Sequence, residues 1–333
     1  MDSALPARCS PNRRRRQTCL QVSLAASLLA LAGVLPSHAA AGDPTDKPNA
    51  AEEAAATVGA SHHFTFRAPA VGGATEQDVA FSLQLKATTV QGGATVDEIE
   101  SKLTRRQTRT MTVLATEAGR VTKARVAFRV AEQEASGERR GGQSAPAAKV
   151  AQAVAVKTYV VSRAKPQDAL SIEDEQGRQP SDEEQTIVAN SMDSVGRDNV
   201  LGKFLDGRTV RVGQSVEMPR DAANKMLGFD AAVGEVSKFE MTLSRVARRN
   251  GKLCAEFDTR IELQSADAAG QSTRFRGRMV VETATCRSLA ADFAGPVSFV
   301  ENHGTAAAGF QVLSVGALQV RVTSSPVEAQ AAR

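Results

Sequence analysis

The alternation of apolar and polar residues between Lys238 and Glu282 leaves the chain little choice of fold. Leu253, Ala255, Phe257, Thr259, Ile261 and Leu263 share one side of a pleat, while Cys254, Glu256, Asp258, Arg260 and Glu262 share the other. After a Gly-containing turn, Phe275, Met279 and Val281 alternate with Arg274, Arg276, Arg278 and Glu282. A period of two sustained this long specifies antiparallel strands with one face buried. Cys286 has the parity of the polar set, so pairing it with Cys254 fixes a register. That register sets Ile261 against Met279, Phe257 against Thr283 and Glu262 against Arg278, with one unfavourable pair, Asp258 against Glu282.

The first 41 residues read as a secretory signal. Arg13 to Arg16 precede an apolar run from Leu20 to Leu35, then Pro36 and small residues, with small-x-small cleavage patterns ending at Ala39 and Ala41. The run is shorter than the ~20 apolar residues of a spanning helix, so no transmembrane span is expected after cleavage. Cys9 and Cys19 leave with it. Cys254 and Cys286 remain, and in an oxidising compartment a disulfide between them is the expectation, adding roughly 3–4 kcal/mol on the chain-entropy model.

Charge excludes one class of partner. Residues 1–41 hold five arginines and one acid, and the rest of the chain carries 36 basic and 36 acidic side chains. A neutral chain offers no cation surplus to displace counterions, so no nucleic acid is expected. Residues 42–60 have almost nothing to bury and read as a disordered spacer. A single β-rich domain is expected over 61–323, with a surface loop at 134–149 and a disordered tail at 324–333.

Within that domain Val79 to Thr89 alternates most clearly, with Phe81, Leu83 and Leu85 on one side. Ile99 to Ala115 is a strand with an Arg-rich middle, and Ala124 to Val130 returns through Phe128. Strands follow over Ala153–Val161 and Leu170–Glu173. The period then lengthens. Ser181 and Glu184 form a capping box, and Ile187, Val188, Met192 and Val195 make a helical stripe. Leu201 and Phe204 belong to a second apolar turn, and a short helix runs from Pro219 to Gly228, after a strand over Thr209–Met218. Asn250-Gly251 marks a hairpin. Shorter strands over Leu289–Phe293, Val297–Val300, Phe310–Val315 and Leu318–Val322 close the chain. The class is α+β: a large curved antiparallel β-sheet or partial barrel with two or three helices packed against it. An outer-membrane barrel also alternates, but aromatics are 4% with no Trp and one Tyr, too few for two interfacial girdles.

Chemical motifs are sparse. No metal or cofactor site is expected, since His62 and His63 are strand neighbours pointing apart and no spaced His/Cys/carboxylate set exists. Gly196 to Lys203 has five residues between its glycines where a phosphate loop has four, and Phe204 where a hydroxyl should follow. Ser162-Arg163-Ala164-Lys165 has the Ser-x-x-Lys spacing but sits at a strand end. The rows Arg105, Arg106, Arg109 and Arg274, Arg276, Arg278 suit either an anionic ligand or the wet side of a sheet.

From about residue 60 onward, the helical block, the segment Gly207-Arg208-Thr209-Val210-Arg211-Val212-Gly213-Gln214-Ser215 and the long meander after it resemble a family of uncharacterised bacterial exported proteins, often lipoproteins. Where that family commonly has Trp, this chain has Val216. The resemblance implies a periplasmic or secreted location and no established activity. The architecture is distantly similar to periplasmic lipoprotein carriers. The expected function is therefore a non-enzymatic envelope protein that binds an apolar ligand or lipid, or an envelope protein partner. A hydrolase with scattered catalytic groups near His303 and a purely structural or interaction protein are the alternatives. An apolar ligand would be lined by Phe81, Leu83, Leu85, Phe128, Phe257, Ile261 and Met279 on the sheet, facing Ile187, Val188, Leu201 and Phe204 on the helices. The same residues would equally fill a core.

Overall fold

The computed structural model describes residues 59–139, 143–228, 234–264, 272–304 and 309–327. The expected signal segment, nearly all of the spacer and the end of the tail lie outside them.

In chain order the elements are β1 (Ser61–His63), β2 (Ala74–Gln91), β3 (Ala94–Glu117), β4 (Arg120–Arg139), β5 (Gln143–Ala151), β6 (Thr158–Ser162), β7 (Ser171–Asp174), α1 (Asp182–Met192), α2 (Val200–Leu205), β8 (Thr209–Arg211), β9 (Ser215–Met218), α3 (Arg220–Leu227), β10 (Glu235–Arg249), β11 (Lys252–Gln264), β12 (Ser272–Glu282), β13 (Arg287–His303) and β14 (Phe310–Val327). The fold is α+β. Twelve strands form one antiparallel sheet in the order β7-β6-β4-β3-β2-β14-β13-β12-β11-β10-β9, with β5 also on β4, and β1 pairs β8 separately. The first and last strands of the meander, β2 and β14, are neighbours at its centre, and each wing is built outward from them by successive hairpins.

Three helices cover the inner face in two blocks. α2 and α3 bury Leu201, Phe204, Leu205, Met226 and Leu227 against Phe239, Phe257, Ile261 and Met279 of the long wing and Phe81 and Leu83 of β2. α1 buries Val188 and Met192 against Phe128, Tyr159 and Val161 of the short wing. The capping box expected at α1 is present: Ser181 Oγ accepts from the Glu184 N–H, and Glu184 accepts from the Ser181 N–H. α3 ends as expected at Gly228, in the left-handed region at φ 56°. Asn250 (φ 49°) and Gly251 (φ 75°) both adopt positive φ, the two-residue turn that matches strand twist and joins β10 to β11.

The β11–β12 register differs from the one inferred through the cysteines. Phe257 faces Met279, Ile261 faces Phe275, and Cys254 faces Glu282, a slip of four residues. The like-charge contact vanishes, since Asp258 now meets Arg278 and Glu262 meets Arg274. The cause is the turn: β12 ends at Glu282, and Cys286, held at φ 53°, returns its N–H to the Glu282 carbonyl. That reversal puts the two cysteines on opposite faces. Cys254 packs with Val280 and Leu289 on the outer side, and Cys286 joins the main core. Both are buried free thiols, not a disulfide, and burial pushes the Cys286 thiol up to about 12.

Five other expectations change. Most of the 134–149 loop is strand, because β4 runs to Arg139 and β5 pairs back on it. The Ala153–Val161 strand begins only at Thr158, and Thr209–Met218 is split by a turn at Gly213. β13 runs unbroken through Gly295 and Pro296, and β14 is one strand that continues through Ser324 to Val327, where tail was expected.

The glycines inside strands let aromatic rings lie across the sheet. A Cβ on Gly277 would stand 2.0 Å from the Asp292 carbonyl oxygen and 2.7 Å from the Phe293 ring, and one on Gly295 would meet the Phe275 ring at 2.7 Å. Gly277→Ala is expected to destabilise the fold by about 1–3 kcal/mol, as overpacking of a close-packed interior does, read as a lower midpoint in urea denaturation. Thiol titration of a chain lacking residues 1–41, denatured without reductant, should find both Cys254 and Cys286 reactive.

Candidate functional site

The inner face is not uniformly apolar. β3 carries Leu103, Arg105, Gln107 and Arg109 on the same parity, so two of the arginines turn toward the helices while Arg106 faces out. Arg109 is fully buried, and its Nε donates to Gln77 Oε1 at 2.9 Å. Gln107 donates from Nε2 to Gln152 Oε1 at 2.8 Å, and Ser191 on α1 donates to Gln107 Oε1 at 3.3 Å. Arg105, half-buried, donates from Nε to Gln133 Oε1, directly opposite on β4, at 2.8 Å. Withdrawal from water pushes the Arg105 and Arg109 guanidinium groups down to about 10, still charged at neutral pH. These groups form a polar seam between the two apolar cores.

Beyond the seam, toward the β2–β3 turn, the sheet outruns its helices. Leu83, Leu103 and Leu318 form the last buried rung. After it the inward residues Leu85, Ala87, Ile99 and Ser101 are only half-buried, and on β4 and β5 Ala135, Ala148 and Val150 are exposed, Val150 by 61%. This uncovered inner face is apolar or small-residued and runs up to the Arg105–Gln133 pair.

The residues proposed from sequence to line a ligand fall mostly elsewhere. Phe81, Leu83, Phe257, Ile261, Met279, Leu201 and Phe204 pack together in the main core, and Phe128 and Val188 pack in the second with Ile187 at its edge. The structure does not bring the two sets together. Leu85 alone stands at the rim of the uncovered face. Ala135, Ala148 and Val150 were missed because the Ala- and Gly-rich stretch holding them lacks the bulky alternation that signals a strand.

The remaining motifs are accounted for by packing. Gly196 lies 2.5 Å, as a Cβ would measure it, from the side chain of buried Arg163, which binds the Asp193 carboxylate at 2.9 Å. Gly202 lies equally close to Phe66. The Gly207–Ser215 segment holds β8 and the turn that leads to β9, and the turn docks on β10 with Gly213 N–H bonded to the Leu243 carbonyl at 2.7 Å. His63 hydrogen-bonds Thr209, and His303 stacks on Phe310 and meets Glu301 Oε2 at 3.1 Å. Among the described residues no three His, Cys or carboxylate groups gather as a metal site.

The outer face is a charged surface paired across strands. A shallow cleft of about 360 Å³ lies over Ala80, Ser82 and Thr104, with Lys149 bound to Glu132 (2.8 Å) and Arg321 to Asp292 (2.8 Å) at its sides. Arg274 meets Glu262 at 3.3 Å and Arg278 meets Asp258 at 3.6 Å. Buried Glu256 gathers Arg245 and Arg249. Desolvation acts to raise its pKa, but the hydrogen bond from Arg245 and the charge of Arg249 outweigh it and hold the carboxyl below its usual range.

No protein-family model matches the chain, and no curated protein matches it. Similar solved structures include lipovitellin, studied for its lipid–protein interactions, at 8% identity over 79% of this chain and 26% of that one, with a TM-score of 0.33. A DUF1329 family protein from Desulfovibrio piger is 9% identical over 76% of this chain and 87% of that one, TM-score 0.14. The outer membrane protein OprG from Pseudomonas aeruginosa is 6% identical over 80% and 99%, TM-score 0.17. The chain spans about a quarter of the lipovitellin chain it matches. Among the described residues no helix is long and apolar enough to cross a membrane.

Glu184 ties the helix block to the short wing. Besides capping α1 it accepts from Lys157 Nζ (2.8 Å) and Tyr159 Oη (2.7 Å), and these bonds hold its carboxyl down at about 2. A carboxylate depressed on folding stabilises the fold above its unfolded pKa, and that contribution drains away as pH falls toward the folded value. Glu184→Gln should therefore lower stability at neutral pH and flatten the loss between about pH 4.5 and 2, measured by thermal melts across that window.

Proposed function

We propose that the protein is a non-enzymatic binding protein of the bacterial cell envelope that holds an apolar ligand, a lipid, on the uncovered inner face of its sheet. The observation that carries this reading is the mismatch between sheet and helices: apolar inward residues continue past the last buried rung, with Leu85, Ala87 and Ile99 only half-buried and Ala135, Ala148 and Val150 exposed. Exposed apolar surface of this kind, rimmed by polar groups, marks a binding site in a folded protein. Bare apolar side chains cost roughly 25 cal/mol for each Å² left in water, so an occupant that dries them gains that much. The leader-like sequence of residues 1–41 supports export, and the sparse catalytic chemistry supports binding over turnover.

The test uses a fluorescent apolar probe, 1-N-phenylnaphthylamine, titrated into the purified protein. Emission should rise saturably, and Ile99→Asp or Val150→Asp should weaken binding by about tenfold, the cost of setting a charge on a desolvating surface, with circular dichroism unchanged. Probe binding that ignores both substitutions would place the site elsewhere, and no binding would end the proposal.

A further inference from the structure

Arg105 is the feature that the core does not explain. It faces inward, half out of water, one rung inside buried Leu103, and through Gln133 it adjoins the exposed Val150 of the uncovered face. Its Nε is fixed by Gln133, and no carboxylate among the described residues pairs with it. Arg163, by contrast, has Asp193, and Arg287 lies in the field of Glu282. A cation withdrawn from water without a counter-charge is costly, and groups that break local rules in this way concentrate at functional sites. The Gln133 bond uses Nε and leaves the Nη1–Nη2 edge of the guanidinium, a planar fork that matches a carboxylate. From Arg105 to Asp97 β3 runs eight residues, roughly 26 Å at about 3.3 Å each, with buried Leu103 and then half-buried Ser101 and Ile99 on the inner side. A flexible apolar tail would lie along these rungs, beside Ala135, Ala148 and Val150, with its head at Arg105.

We infer that the ligand is a long-chain carboxylic acid, its carboxylate bound by Arg105 and its hydrocarbon chain laid along the inner face of β2 to β5. The inference rests on the apolar-ligand reading above and adds the head group to it. A single anionic charge balances the Arg105 guanidinium, and a neutral chain of equal length would leave that cation as it stands. Gln133 acts as a positioning residue that orients the guanidinium.

The experiment titrates delipidated full-length protein with cis-parinaric acid and, in parallel, with its methyl ester, following polyene fluorescence. Wild type should bind the acid at least about tenfold more tightly than the ester, the worth of a charge-assisted hydrogen bond. Arg105→Gln should lower acid affinity by at least about tenfold and leave ester affinity unchanged, with Arg105→Lys in between. The ligand-free Arg105→Gln protein should melt no lower than wild type, because an uncompensated cation has been removed. Equal binding of acid and ester by wild type, or full acid binding by Arg105→Gln, overturns the carboxylate anchor while the apolar-ligand reading stands. Failure of both probes to bind overturns both readings, and failure of the acid alone overturns the carboxylate anchor. If Arg105→Gln does not fold, the acid-to-ester ratio of wild type decides alone.

Discussion

The pairing of β2 with β14 holds the two halves of this molecule together. Every other contact in the large sheet is made by a strand with one close to it in sequence, but Ala74 must find Val327 and Val90 must find Gln311. Closing a loop of that length costs entropy that grows only slowly with its size, yet the cost falls before any of the contacts form. It is offset by a full-length antiparallel ladder and by the rungs Val79–Val322, Phe81–Val320 and Leu83–Leu318, which are buried on the inner face. That ladder also joins the main core, which takes Val79, Phe81 and Leu83 from β2 and Leu103 from β3 together with the residues of the long wing and of α2 and α3.

The division into two cores shapes the chemistry. Phe64, threaded between β8 and the turn after β12, places its ring 5.8 Å from Phe257 and closes the larger core. The smaller core is closed at the two ends of α1, by Glu184 in its first turn and by Arg163 on Asp193 at its C-terminus. Between them the sheet tolerates Gln77, Gln107 and Arg109 only because each is hydrogen-bonded, which is the condition on which polar groups enter an interior. Arg105 sits at the end of this series, one rung before the last buried one.

Much of the fold was legible in the sequence because its signals are local. Alternation marked most of the strands, Ser181 and Glu184 marked the start of α1, and Asn250-Gly251 marked the hairpin. What escaped depended on geometry that a periodic pattern does not encode. Bulges at Thr108/Arg109 and Val113/Ala115 shift the parity of β3 against β4, so the inward turn of Arg105 and Arg109 was not separable from the wet face that Arg106 shares. The β11–β12 register followed a supposed sulfur–sulfur link and missed the positive φ of Cys286 that turns the chain first. The strand status of residues 143–151 was hidden by composition, since a strand whose inner side stays uncovered has no need of large apolar residues. The site was illegible for the same reason.

The position of β14 also governs how the molecule can be made. A chain emerging from its N-terminus presents β2 early, eighteen residues of extended backbone whose outer hydrogen-bonding edge has no native partner until the final strand arrives. Until then the nascent protein is an open-edged template for mispairing. A biosynthetic product halted before β14 would carry two such edges, those of β2 and β13, and would be prone to join with its own kind.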